Sequence, residues 1–185
     1  MIFKSLHEKL LRKKINKSLI DLSEQIRIKP NPIKSLGCIV DPSFPVSVDV
    51  FIDLANSIGL KEKDLKIITF QEDKNTFNVF SNMNITPECI SFYGNLTGND
   101  SLEFISKDYD LLINFFKSNP ELTLLSSKTK AKFRVGFESA ENQLNDLIFS
   151  NKIKKFKSFK LELIKYLNLI KWKTYLKDLK GLELL

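Results

Sequence analysis

Histidine occurs once in this 185-residue chain, at His7. Ser-His-Asp and Cys-His catalysis need a base within hydrogen-bond reach of the nucleophile, and His7 stands in a cation-rich helical stretch far from any strand end. Cysteine occurs twice, at Cys38 and Cys89. One histidine and two distant cysteines do not supply the four nitrogen and sulfur ligands of a zinc site, so no metal centre of that kind and no cofactor is expected. Magnesium, which needs only one or two carboxylates, stays open. Both cysteines lie in apolar runs, which predicts buried, reduced thiols. Glycine and proline are scarce, at six each, and neither G-x-x-x-x-G-K-[ST] nor G-x-G-x-x-G occurs. No apolar run reaches the roughly 18 residues of a membrane-spanning helix. The start, "MIFKSLHEKLLRKKINKSLI", interleaves apolar residues with cations and lacks the uninterrupted apolar core of a signal peptide. The expectation is a cytoplasmic protein, not an enzyme of the nucleophilic type.

Apolar side chain is plentiful, at 43% with fifteen Phe, enough for one compact domain. The net charge of +7 is unevenly laid out. Residues 1–29 hold eight Lys/Arg against three acids, and residues 152–180 hold ten against two. Residues 30–127 hold seven cations against thirteen acids. Basic ends around an acidic middle favour a polyanionic partner, or packing of the ends on the body.

Hydrophobic spacing predicts a first helix from about Phe3 to Ile26, with Leu11, Ile15, Leu19, Leu22 and Ile26 on one face and Lys9, Lys13 and Lys17 on the other. The prolines of "IKPNPIK" then stop it. Apolar runs "LGCIV", "KIITF", "CISFY", "DLLINFF" and "KFRVG" predict five strands. Helical patterns lie between them, one ending at Gly59 and one capped by Asn119 before Pro120. "NTFNVFSNMNITPE" reads equally as an extra strand or a short helix. The alternation predicts an α/β fold, a single doubly wound, Rossmann-like and mostly parallel sheet of about five strands. A last helix is expected from about Lys154 to Leu179. The expected organisation is a basic N-terminal helix over 1–29, an α/β core over 30–150 and a basic C-terminal helix over 151–185 packing on the core.

"DYDLLINFF…KTKAKFRVGF", with "LGCIVD", "ITPECISFYGN" and "LNDLIF", resembles a family of small bacterial α/β proteins classed as a domain of unknown function. The resemblance runs from about Leu36 to Tyr166 and implies the fold but no activity. Tyr109 to Phe137 also resembles the N-terminal half of heptosyltransferase-type glycosyltransferases. Those enzymes hold their nucleotide-sugar in a second Rossmann-like domain, for which these residues leave no room, so no catalytic residue is carried over.

Two sites follow from the pattern. The first is a polyanion grip that docks on RNA or a ribonucleoprotein such as the ribosome. It draws on Lys9, Arg12, Lys13, Lys17, Lys128, Lys130, Lys132, Lys154, Lys155 and Lys157, whose phosphate contacts would be sequence-independent. A protein partner or an anionic membrane surface is the other use of such helices. The second site is a cleft at the carboxyl edge of the sheet, with Asp41, Gly94, Asn95, Asn114 and Lys117, for a phosphorylated or sugar-like small molecule. In "SSKTKAKFRVGF" the alternation of Lys128, Lys130, Lys132 and Arg134 places all four on one face of an extended chain.

Overall fold

The computed structural model describes residues 2–25, 30, 32–44, 46–72, 83–151 and 155–182, with helical side chains described from residue 5 in the first helix and to residue 169 in the last. Residues 1–151 and 152–185 form two compact units.

In the first unit, α1 (Ile2–Ser23) precedes β1 (Leu36–Val40) and α2 (Val48–Ser57). Then come β2 (Leu65–Phe70), β3 (Met83–Ile85), α3 (Asn99–Ser106), β4 (Asp108–Phe115), α4 (Pro120–Lys128), β5 (Lys130–Phe137) and β6 (Leu147–Phe149). The strands form one sheet in the order β3-β2-β1-β4-β5-β6, and every pair is parallel. β1 and β4 are buried almost throughout, as continuous apolar strands of a two-sided sheet must be. Ile39, Ile68 and Leu112 join the buried faces of α1 and α4 in one core cluster. On the other side Phe51 of α2 meets Phe115 edge-on, with ring centroids 5.6 Å apart.

Local chemistry sets the element ends. Asn119 caps α4 by accepting the Leu122 N–H at 2.9 Å, and Pro120 takes the first helical position, where no donor is needed. Gly59 follows α2 at φ +86°, the left-handed geometry that closes a helix.

Two strand expectations are corrected. Among the described residues the sheet has six strands where about five were expected. "CISFY" is not one of them: Pro87–Cys89 is a single 3-10 turn, and only Ile90 bridges, antiparallel, to Leu96. Thr86 and Pro87 break the chain before this run, and Gly94 turns it at φ +74° after five residues. The strand lies upstream, at Met83–Ile85, inside the segment that read ambiguously. The sixth strand, Leu147–Phe149, is three residues long and hidden among Asn and Asp. Cys38 is buried as expected, whereas Cys89, in the 3-10 turn, is only partly covered.

The second unit is a long helix, α5 (Phe156–Leu182), in which the Phe156 and Phe159 rings lie tilted against each other with centroids 5.7 Å apart. No helix among the described residues is long and apolar enough to cross a membrane.

Candidate functional site

α1 is amphipathic in fact as well as in spacing. Leu11, Ile15, Leu19 and Leu22 are buried, and the helix packs along α4. Burying four such side chains stabilises the docked helix by roughly 1.5–3 kcal/mol each. Lys9, Arg12, Lys13 and Lys17 are exposed on the outer side. Among the described residues none of these four is in an ion pair. Nor do they serve the helix dipole, since α1 has no acid in its first turn and no base in its last. The helix thus holds four cations on a fixed surface, none of them in a close ion pair among the described residues.

A turn beside this helix carries exposed aromatics. Ser91 N–H donates to Asn95 O at 2.8 Å, Gly94 N–H to Ser91 O at 2.8 Å, and Asn95 N–H to the Ser91 hydroxyl at 3.1 Å. With Gly94 left-handed, this is a tight three-residue hairpin loop. It lies on α1: a Cβ at Gly94 would come within 3.1 Å of Lys14 Cγ and 3.3 Å of Leu11 Cα. His7 Nδ1 is 3.1 Å from Phe92 O, and the His7 and Phe92 ring centroids are 5.9 Å apart. Phe92 is 41% and Tyr93 67% exposed, their rings edge-to-face at 5.7 Å. Sequence reasoning placed both in a buried strand. The signal that could have found them is the Tyr93-Gly94-Asn95 turn chemistry.

The basic ridge of "SSKTKAKFRVGF" is dispersed. Lys128 is exposed at the end of α4. Lys130 faces Asp108 at 3.8 Å, and Lys132 binds Asp110 at 2.7 Å. Burial alone would raise the Asp110 carboxyl. The Lys132 bond and the Lys34 and Ser35 amides outweigh it and hold the group below its ordinary range. These pairs line an open cavity of about 440 Å³ at the amino ends of β4 and β5, together with Gln25, Tyr109 and Ala131. Arg134 is wholly buried. Its Nη1 donates to Ser126 O at 2.8 Å and its Nη2 to Thr129 O, so the guanidinium caps the carbonyl end of α4. Simple alternation would have put it in water. Lys155 and Lys157 are exposed at the start of α5, and Lys154 lies outside the described residues.

The carboxyl-edge cleft is only partly assembled. The strand order reverses between β1 and β4, the switch point where an open α/β sheet takes ligands. Asp41 and Lys117 follow those two strands. Asp41 Oδ1 accepts the Ser43 N–H at 2.8 Å, a local turn bond. Lys117 Nζ lies 5.4 Å over the Phe44 ring, which packs on Phe115 and Phe137 at 4.8 and 6.0 Å. Asn114 is buried and donates from Nδ2 to Asn145 Oδ1 at 2.8 Å. Gly94 and Asn95 do not belong here: with "CISFY" not a strand, they sit in the turn on α1. Among the described residues no group of three His, Cys, Asp or Glu is arranged to hold a metal ion.

A family model described as a family of unknown function, DUF6913, matches residues 7–170. No curated protein and no solved structure matches the chain, and the local likeness to heptosyltransferases is not shown.

Proposed function

The chain belongs to the DUF6913 family, which supplies no activity to inherit, and we propose that it is a non-enzymatic module that docks on RNA through the outer face of α1. The observation that carries this reading is the set of exposed cations Lys9, Arg12, Lys13 and Lys17 on a helix whose other face is locked into the core. Three of the four are lysines, which suit contact with phosphates better than bidentate reading of base edges. Lys128 in the first unit, and Lys155 and Lys157 in the second, are further exposed cations proposed to contact a polyanion. Lys130 and Lys132 contribute least, because each has an aspartate partner. The small-molecule reading is weaker, since Lys117 lies over the Phe44 ring, which packs on Phe115, and Asp41 is engaged in a local turn.

The test is RNA binding by the full chain and by the Lys9→Glu/Lys13→Glu/Lys17→Glu variant across a salt series. Loss of three phosphate contacts should flatten the slope of log K against log salt by about 2–3. Thermal stability should change little, because exposed charges contribute at most about 1 kcal/mol each. An unchanged slope would remove α1 from the interface.

A further inference from the structure

We infer that the Phe92–Tyr93 turn is a stacking platform for unpaired bases, so that the RNA taken by α1 is single-stranded. This rests on the reading of α1 as an RNA-docking surface and adds the class of RNA.

Two adjacent aromatic rings on a hairpin tip, one of them 67% exposed, contribute little to the core. Yet the tip is held firmly. The Ile90–Leu96 bridge closes its base, Gly94 is pressed against the α1 backbone at Leu11, and His7 contacts the Phe92 carbonyl. A Cβ at position 94 would crowd Lys14 and Leu11 on α1. The backbone that carries the rings is therefore seated on the helix, and the rings face outward from it. Charge complementarity names the occupant. Lys14 touches the turn through Gly94. Spacings of seven and three put His7, Lys14 and Lys17 along one strip of α1, with Lys13 beside it; Asp21, seven after Lys14, ends the strip away from the turn. A base on Tyr93 would leave its phosphates facing that strip. This is the combination by which single strands are held without sequence preference: cations that track the backbone and aromatic faces that accept any base. Duplex RNA keeps its bases stacked inside and could offer only phosphates.

The experiment measures fluorescence anisotropy of a labelled uridine oligomer of about a dozen nucleotides, and of a duplex of equal length, with the full chain. The single strand should bind more tightly. Tyr93→Ala should weaken it about tenfold, the size of one lost stack, with an unaltered salt slope and unaltered duplex binding. Tyr93→Trp should restore it, and circular dichroism melts should match throughout. The inference is overturned if Tyr93→Ala leaves the single-strand affinity unchanged, or if duplex binds as tightly. Binding of the wild type to anionic phosphatidylserine vesicles that is lost in Tyr93→Ala, with RNA binding intact, also overturns it and assigns the rings to a membrane surface. If RNA binds through the α1 lysines but ignores Tyr93, this inference alone fails. If wild type binds no RNA at low salt, the proposed function fails with it.

Discussion

Arg134 shows how a single charged side chain serves the fold from inside it. Its guanidinium meets the Ser126 carbonyl, which also accepts from Thr129 N–H, and the Thr129 carbonyl just past the helix end. Arg134→Met would fill the space but strand the Thr129 carbonyl, so it should cost about 1–3 kcal/mol, read as a lower denaturant midpoint at constant m-value. Asp110 gives a pH signature. Its folded-state pKa lies below the ordinary value of 3.8. Its contribution is therefore complete above 3.8 and is lost as pH falls through the lower folded value. Asp110→Asn should be less stable than wild type at neutral pH, and the difference should shrink in acid; parallel curves of stability against pH would show that the carboxylate does not matter. Cys38 is buried and its thiol pKa is pushed far above the ordinary range by desolvation. A thiol reagent should therefore modify Cys89 in the native protein and reach Cys38 only on unfolding.

Among the elements, the hairpin tip depends most on one position. Gly94→Ala meets an unfavourable φ of +74° and contacts at 3.1 and 3.3 Å on α1. It should destabilise the protein by about 1–3 kcal/mol, measured by thermal melting. The long elements were legible in the sequence because their burial is periodic. α1 and α2 show spacings of three and four, α4 announces itself by Asn119 and Pro120, and β1, β2, β4 and β5 each carry a short, dense apolar stretch. β3 and β6 were not, since at three residues each they carry too few side chains to show any period, and only their neighbours in the sheet make them strands. "CISFY" misled for the opposite reason: its residues favour a strand, but Pro87–Cys89 winds into a 3-10 turn and Gly94 turns the chain back on itself, so that only Ile90 pairs. The same error hid the candidate platform and sent Gly94 and Asn95 to the wrong edge. Arg134 was illegible because alternation assigns a face, and a helix end waiting on the buried face cannot be seen from sequence.

At the scale of the molecule, the central strand is also the first one made. β1 lies between β2 and β4, and the hydroxyl of Ser35, just before it, accepts from Asp110 N–H, 75 positions later in the chain. α1 waits likewise for α4, its main packing partner. At about 5–20 residues per second, a ribosome making this chain leaves β1 without its second neighbour for roughly 4–15 seconds. During that time a fully apolar strand and a half-apolar helix stand uncovered, and both are binding targets for chaperones that hold nascent chains. Ribosome-bound chains arrested before β4 should be cut by a dilute protease within β1 and α1. Chains arrested after β5 has cleared the exit tunnel should resist. Equal resistance at both stages would mean that β1 and β2 settle as a pair and do not wait for the rest of the sheet.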